Sequence, residues 1–218
     1  MDYIQTKRKA TQQPQFTFPD QTTYPAIFVE EIDNGEDVEP SRIFTITITS
    51  DIVSPDVYDE VVGVLTSAKE SDIVVFLINS IGGELNSLTY LTNAIDDTEA
   101  HVVGKLMGIA ASAAGALFLN CHKQIVGRHT TMMIHNASYG SLGKDRDVLS
   151  HVLFTSKQNE RFVRDTYKDF LTEEEIESVI NGAELYFDDD EIEQRLAVRD
   201  AVRNLVKFDN INPQFMID

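Results

Sequence analysis

Two continuous apolar runs separated by a helical segment limit the folds that this chain can adopt. The first run covers residues 73–78 and leads to Gly82 and Gly83, and the second covers residues 102–107. Between them, residues 84–95 carry apolar side chains at helical spacing. A short apolar run without alternating polar residues is typical of a strand that is buried on both faces in a mainly parallel sheet. The pattern predicts an α/β fold built from βαβ units, with functional groups gathered at the C-terminal ends of the strands.

The remaining segments fit the same fold class. Residues 42–49 alternate apolar side chains with threonine, which indicates a strand, and residues 145–170 have the spacing of a long amphipathic helix. Thr172 and Glu175 form the pattern of a capping box at the start of a short helix. The other predicted strands are residues 25–31, 125–126 and 132–134, and the other predicted helices are residues 55–69, with Ser54 as N-cap, and 189–198, followed by a final segment 199–206.

The composition limits the number of domains in the chain and the classes of partner that it can bind. The 218 residues, 42% of them hydrophobic, suffice for one substantial core, and the polar residues 1–24 are expected to form a mobile tail. A net charge of −18 opposes binding to nucleic acid and to anionic membranes. The single Cys121 excludes an intrachain disulfide, and no apolar run approaches the roughly 18 residues of a membrane span. We therefore expect a cytoplasmic protein.

Ser112 and His135 are the candidate catalytic residues. Residues 102–107 are expected to end as a strand at Gly108, and Ser112 follows among small residues where a buried helix begins. Free backbone N–H groups at a helix N-terminus can stabilise a developing anion, which suits a nucleophile. A serine in such a segment is more commonly a cap or a packing residue. His135 favours the catalytic interpretation, because it ends the predicted strand 132–134 and can act as the base that a nucleophilic serine needs.

Three sequence blocks resemble the proteolytic subunit of the ATP-dependent Clp protease and its phage-encoded relatives. Residues 78–83 (Ile-Asn-Ser-Ile-Gly-Gly) are similar to the family's glycine turn, residues 108–112 to its nucleophile turn, and residues 133–136 to its histidine block. Their order and spacing also match, and the resemblance covers roughly residues 25–203. It implies a crotonase-like ClpP fold with a protruding helical handle in residues 25–207. Residues 1–24 would then be an N-terminal extension or a removable propeptide, and residues 208–218 a C-terminal tail.

The resemblance also implies a catalytic site. Ser112 would be the nucleophile and His135 the base, and the backbone N–H groups of Gly83 and Ala113 would bind the oxyanion. The family aspartate that orients the histidine corresponds to Glu184, whose carboxylate can do the same work. Asp188 is an alternative orienting residue, and the lack of any working third residue is another. The chain also has Ile81 where the family usually has proline. Neither the residues nor the resemblance indicates a metal or an organic cofactor.

The family's assembly is a further expectation. The resemblance implies a homo-oligomer of two stacked seven-membered rings, joined through the handle helix, with the sites facing an inner chamber. A simple surface helix is the alternative for residues 145–170. Unfolded polypeptides would be delivered by a Clp-type AAA+ unfoldase, since this chain has no phosphate-binding Gly-Lys-Ser/Thr motif of its own. The function implied is that of a serine endopeptidase.

Three other functions stay open at this point. The first is a catalytically silent subunit that keeps the fold and the rings while Glu184 fails to support His135. The second is a phage capsid-maturation protease of the same fold, which would act without an unfoldase. The third is an acyl-CoA enzyme of the crotonase group, which the serine and histidine blocks argue against.

Overall fold

One seven-stranded sheet organises the protein. The computed structural model describes residues 24–35 and 40–211, with side chains described through residue 204. The strand order in this part of the chain is β1-β2-β3-β4-β6-β7, and β5 pairs with β4 off this path. The strands are β1 (Ile27–Ile32), β2 (Ser41–Ile48), β3 (Ile73–Ser80), β4 (His101–Ala111), β5 (Lys123–Val126), β6 (Thr131–Ile134) and β7 (Leu185–Asp188).

Six α-helices accompany the sheet in the described part of the chain. They are α1 (Asp59–Ser67), α2 (Leu85–Asp97), α3 (Ala113–Asn120), α4 (Asp145–Tyr167), α5 (Glu173–Ile180) and α6 (Asp189–Ile211). Strands β2 to β6 pair in parallel, whereas β1 and β7 are antiparallel to β2 and β6 at the two edges. Parallel strands joined through helices confirm the predicted α/β class. No helix among the described residues is long and apolar enough to cross a membrane.

The helix termini agree with the sequence patterns in part. Thr172 and Glu175 form the predicted capping box at the start of α5, with both reciprocal hydrogen bonds present. Ser54 does precede a helical segment, but that segment begins as a 3-10 turn, and the Ser54 hydroxyl donates to Asp56 and caps no backbone N–H. Helix α6 is one continuous helix where two segments were predicted. Of the predicted terminal segments, 1–24 and 208–218, only Tyr24 and the backbone of residues 208–211 lie within the described residues.

The sheet buries one face more completely than the other. Val74, Phe76 and Ile78 of β3 are buried, whereas the alternating Val75 and Leu77 are only half-buried. The prediction that this strand is buried on both faces is therefore wrong for the single chain. The physical reason is that apolar residues of α1, α2 and α3 join one core cluster with the buried face, and the opposite face stays partly open to solvent.

Strand β4 changes neighbours at a bulge. Its first part pairs with β5 through Leu106, and its last part pairs with β6 from Ile109 to Ala111. The register with β3 shifts across this point, so that three residues of β4 face the single residue Asn79. The expectation that the strand ends at Gly108 is therefore wrong: the glycine lies inside the bulge, and the strand continues to Ala111. This continuation carries the chain to the sheet edge where the candidate site lies.

Candidate active site

Ser112 forms a one-residue turn between β4 and α3. Its φ of +54° and ψ of −124° lie in a region that residues other than glycine rarely occupy, at a cost of about 1–3 kcal/mol. The backbone holds this conformation at both ends. The Ser112 N–H donates to the carbonyl of Met133 at 2.8 Å, and the Ser112 carbonyl accepts from the Ala116 N–H at 3.1 Å. A strained strand-to-helix turn of this kind presents a nucleophile at the edge of a sheet.

Gly82 packs directly against this turn. A Cβ atom at Gly82 would lie 2.9 Å from Cβ of Ser112 and 2.5 Å from the carbonyl oxygen of Ala111. The φ of Gly82, +95°, is also one that other residues rarely adopt. The glycine turn and the serine turn therefore fit together only because this position has no side chain.

His135 is in contact with Ser112. Its Nε2 atom lies 2.8 Å from Oγ of Ser112. The contact follows from the topology, because β6 pairs in parallel with the end of β4 at Ala111 and Met133, and both strands end at the same edge. The residue after His135, Asn136, is held in place because its side-chain amide donates to the carbonyl of Ile180 at 3.1 Å. The structure therefore places the serine hydroxyl and the imidazole together, with the imidazole at the start of an anchored loop.

The two expected oxyanion donors line the same cleft as Ser112. Ala113 is the first residue of α3, so its N–H has no acceptor within the helix. Gly83 forms an isolated parallel bridge with Ile52. In this bridge the Ile52 N–H donates to the carbonyl of Gly82, and the Ile52 carbonyl accepts from the N–H of Glu84. This leaves the Gly83 N–H without a hydrogen bond to Ile52. The Ile52 carbonyl also occupies the space that a Gly83 side chain would need. Both donors are therefore available to a ligand in the cleft.

Glu184 lies opposite His135 but bonds elsewhere. The last pair of the β6–β7 ladder is Ile134 with Leu185, so His135 and Glu184 are the next residues on each side. The Glu184 carboxylate is exposed and accepts a hydrogen bond from the Tyr186 hydroxyl at 2.7 Å. No hydrogen bond joins Glu184 to His135 in the part of the chain that the structure describes. The structure thus brings the predicted third residue to the right strand position without completing a triad.

Asp188 lies at the far end of β7. It pairs with Thr131, four residues before His135, which corresponds to about 13 Å along the strand. Its carboxylate accepts a hydrogen bond from the backbone N–H of Glu191 at 2.9 Å, at the start of α6. Asp188 therefore caps a helix and is not placed to orient His135.

The cleft around these residues has a volume of about 760 Å³ and mainly apolar walls. Its apolar lining includes Ile81, Leu85, Met133, Tyr139, Phe162 and Tyr167. Burial raises the pKa of the Tyr167 hydroxyl, so this group stays protonated. The described residues contain no cluster of three or more histidine, cysteine, aspartate or glutamate side chains that could hold a metal ion. An open apolar cleft beside a serine and a histidine can accept an extended chain with apolar side chains.

Cys121 is not a candidate nucleophile. It is buried behind α3, and desolvation raises the pKa of its thiol to about 12. The thiolate, which is the reactive form of cysteine, is therefore absent at neutral pH.

Sequence reasoning missed two residues at the site. Asn79 accepts a hydrogen bond from the Ile109 N–H at 3.0 Å within the bulge of β4, and Tyr186 holds the carboxylate of Glu184. Asn79 lies in the sequence block that contains the glycine turn. The hydrogen bond of its side chain, however, depends on a shift in strand register that no local sequence pattern shows. Tyr186 could have been found from its spacing, because residues two apart on a strand share a face.

Comparisons with known proteins agree with the geometry. A family model described as Clp protease matches residues 38–184, which is more than half of the chain and ends at Glu184. None of the curated proteins compared with the chain matches it. The matched range includes the glycine turn, Ser112 and His135. The chain belongs to the Clp protease family.

Proposed function

We propose that this member of the Clp protease family is a serine endopeptidase that hydrolyses peptide bonds of unfolded polypeptides. One observation carries the proposal: Nε2 of His135 lies 2.8 Å from Oγ of Ser112, at the N-terminus of α3. This distance is within the range needed for a base to remove the hydroxyl proton as the oxygen attacks a carbonyl carbon.

The proposed reaction has two stages, acylation of Ser112 and hydrolysis of the acyl group. Oγ of Ser112 bonds to the peptide carbonyl carbon while its proton passes to Nε2 of His135, and the N–H groups of Gly83 and Ala113 bind the oxyanion. The C–N bond then breaks as His135 returns the proton to the leaving amine, which leaves an acyl group on Ser112. Water, deprotonated by His135, attacks this ester, and release of the carboxylic acid restores Ser112.

Glu184 is proposed to orient His135 when the site works. Directly opposite residues in an antiparallel pair have Cβ atoms about 4.5–5.5 Å apart. His135 and Glu184 continue the observed register, and the proposed contact requires the Glu184 carboxylate to turn away from Tyr186 and towards the imidazole.

Assembly into two stacked seven-membered rings is also part of the proposal. The open face of the sheet carries Val75, Leu77 and Val103, which are half-buried, and Met107, which is 51% exposed. None of residues 145–158 in α4 is buried, and Leu149, Leu153 and Phe154 are exposed there. Apolar surfaces of this kind support contacts with further copies of the chain. A cytoplasmic setting and delivery of substrates by a Clp-type AAA+ unfoldase complete the proposal.

A catalytically silent subunit is the second candidate. The observation that favours it is the placement of the Glu184 carboxylate on Tyr186, away from His135. A serine and histidine without a working third residue lose most of their activity, although the oxyanion donors retain some.

Degradation of an unfolded protein tests the proposed function. The purified chain, Ser112→Ala and His135→Ala would each be incubated with casein, with and without an AAA+ unfoldase and ATP, and new α-amino groups counted. We expect cleavage by the unchanged chain alone or with the unfoldase, and none by either variant. Oligomers of all three proteins without any cleavage would favour the silent subunit.

The assembly is tested separately by native mass spectrometry. Met107→Glu places a charge on the open face of the sheet and is expected to reduce oligomers to smaller species. Val198→Glu is the matched control, because Val198 is 61% exposed but lies on α6. Equal oligomer masses for Met107→Glu and the unchanged chain would contradict the proposed use of this face.

A further inference from the structure

Ile52 holds the glycine turn of the candidate site by two backbone hydrogen bonds. Its N–H donates to the carbonyl of Gly82 at 2.8 Å, and its carbonyl accepts from the N–H of Glu84 at 2.8 Å. The two bonds lie on either side of Gly83, which forms a parallel bridge with Ile52. Ile52 itself is buried, with 2% of its surface exposed. The backbone around the expected oxyanion donor is therefore fixed by a residue of the preceding loop.

The bond from Ile52 also sets the direction of the Gly83 N–H. The carbonyl of Gly82 and the N–H of Gly83 belong to one planar trans peptide group, in which they point in opposite directions. Because the Gly82 carbonyl points towards Ile52, the Gly83 N–H points away from it. A peptide group between two glycines can rotate more readily than one between larger residues. The hydrogen bond from Ile52 therefore selects one of the orientations that this peptide group can adopt.

The second expected donor lies beside the same peptide group. The backbone nitrogen of Ala113 is 2.9 Å from the place that a Cβ atom at Gly82 would occupy. Gly83 and Ala113 both line the cleft that contains Ser112. In the orientation selected by Ile52, the two N–H groups are thus available to one ligand atom in the cleft.

Val53, the residue after Ile52, is held by two buried side-chain hydroxyls. The Val53 N–H donates to the hydroxyl of Tyr58 at 3.3 Å, and the Val53 carbonyl accepts a hydrogen bond from the hydroxyl of Ser87. Both hydroxyl residues are 0% exposed, and neither lines the cleft. Tyr58 ends the 3-10 turn before α1, and Ser87 is the third residue of α2. Two helical segments behind the site therefore fix the loop that fixes Gly83.

We infer that Tyr58 and Ser87 are positioning residues for the oxyanion donor at Gly83. The inference rests on the proposed function, in which the Gly83 N–H binds the oxyanion. The two hydroxyls hold the backbone of Val53, and Ile52 beside it holds the carbonyl of Gly82. The planar peptide group carries this constraint to the Gly83 N–H. Because the oxyanion forms only in the transition state, these hydroxyls are expected to affect kcat and to leave KM almost unchanged.

Hydrolysis of a short apolar fluorogenic peptide amide tests the inference. The kinetics would be measured for the unchanged chain, Tyr58→Phe, Ser87→Ala and the double variant, since each substitution removes only a hydroxyl group. We expect kcat to fall about 3- to 10-fold in each single variant and about 10- to 100-fold in the double variant, which stays below the loss of about 10²–10³ for a deleted donor. We expect KM to change by less than about twofold, because the ground state makes no oxyanion contact.

A peptide boronate distinguishes the direction of the donor from a general loss of folded protein. Oγ of Ser112 bonds to boron while its proton passes to His135, and the resulting tetrahedral anion places an oxygen at the oxyanion position. We expect the inhibition constant Ki to rise by about the factor by which kcat/KM falls. A merely structural role would lower the fraction of active protein, which reduces the apparent kcat but leaves Ki unchanged.

Thr98→Val is the matched control. The Thr98 hydroxyl also joins two elements, since it donates to the carbonyl of Leu65 at 2.5 Å from a half-buried position, and neither residue lines the cleft. Valine keeps the shape of the side chain and removes the hydrogen bond. We expect kcat, KM and Ki to stay unchanged. Circular dichroism and native mass would verify the fold and assembly of every variant, and the single variants decide the test if the double variant does not fold.

The outcomes separate this inference from the proposed function. An unchanged kcat in the variants, a rise in KM alone, or an unchanged Ki despite a lower kcat overturns the inference, while cleavage by the unchanged chain still supports the peptidase. If the unchanged chain is labelled at Ser112 by a fluorophosphonate but cleaves no short peptide, the labelling rate constant replaces kcat/KM in the same comparison. If the unchanged chain is neither active nor labelled, the proposed function fails and the inference fails with it.

Discussion

The amide oxygen of Asn79 accepts a hydrogen bond from the backbone N–H of Ile109 at 3.0 Å, across the bulge between β3 and β4. The same oxygen occupies the space that a side chain at Gly108 would need. Beyond this point β4 leaves β5 and pairs with β6, which brings Ser112 to His135. A side-chain amide thus helps to set the register of the strand that leads to Ser112.

Asn79→Ala is expected to loosen this register. The N–H of Ile109 loses its acceptor, which costs about 1 kcal/mol of unfolding free energy at this partly exposed position. Labelling of Ser112 is expected to slow several-fold, because the serine turn follows three residues later. Asn79→Asp keeps an acceptor oxygen and is expected to restore most of the labelling rate. Equal rates for the alanine variant and the unchanged chain would show that the bulge does not need the amide.

Gly82→Ala is expected to disable the site. The new methyl group meets the Ser112 turn, and the φ of +95° adds strain of about 1–2 kcal/mol. A shift of the nucleophile by about 1 Å can reduce the rate about 100-fold. Gly63→Ala is the control, since that glycine lies in α1 with nothing within 4 Å of the added carbon. We expect it to raise the unfolding free energy by about 0.5–1 kcal/mol and to leave labelling unchanged. Urea unfolding and the labelling rate measure both effects.

Glu184→Gln and Asp188→Asn distinguish the two candidate orienting residues. Removing the Glu184 charge is expected to slow labelling of Ser112 about tenfold. This is far less than the loss of about 10⁴ when the acid of a preformed triad is replaced, because Glu184 bonds to Tyr186 in the structure. Asn is as good a helix cap as Asp, so Asp188→Asn is expected to leave both stability and labelling intact. A large loss of labelling in Asp188→Asn together with no loss in Glu184→Gln would identify Asp188 as the orienting residue.

Asp72 is expected to make the fold sensitive to acid. Burial alone would raise the pKa of its carboxyl, but hydrogen bonds from the Arg42 guanidinium and from the backbone N–H groups of Lys69 and Arg42 lower it to about 2. Because the folded pKa lies below the unfolded value of 3.8, the stabilisation is fully present above about pH 4 and disappears as the pH falls towards 2. Its size is about 2–3 kcal/mol.

Urea unfolding at a series of pH values checks this expectation. The unchanged chain and Asp72→Asn should differ most at neutral pH and converge near pH 2. A difference in unfolding free energy that does not change between pH 7 and pH 3 would contradict the assignment to the Asp72 carboxylate.

Much of the fold follows from local sequence patterns. The apolar run at residues 73–78 correctly predicts β3, and residues 132–134 correctly predict a strand that leads into His135. The capping box at Thr172 is a local pattern and is found as predicted. Such features depend on residues close in sequence, and that is why they can be predicted.

Features that depend on distant partners could not be predicted in this way. Gly108 has the sequence signature of a turn, and only its contact with Asn79 keeps it inside β4. The half-buried side of β3 carries apolar residues like those of a fully buried strand. Glu184 follows the register that faces His135 but hydrogen-bonds to Tyr186, and no sequence pattern shows which of the two residues its carboxylate contacts.

Covalent labelling of Ser112 tests the central claim most directly. The purified chain would be incubated with a fluorophosphonate, and the modified residue identified by intact mass and peptide mapping. We expect one label per chain on Ser112, with none on Ser112→Ala and a much slower reaction with His135→Ala. A correctly assembled protein that takes no label, or a label that persists in Ser112→Ala, would contradict the assignment of Ser112 as an activated nucleophile.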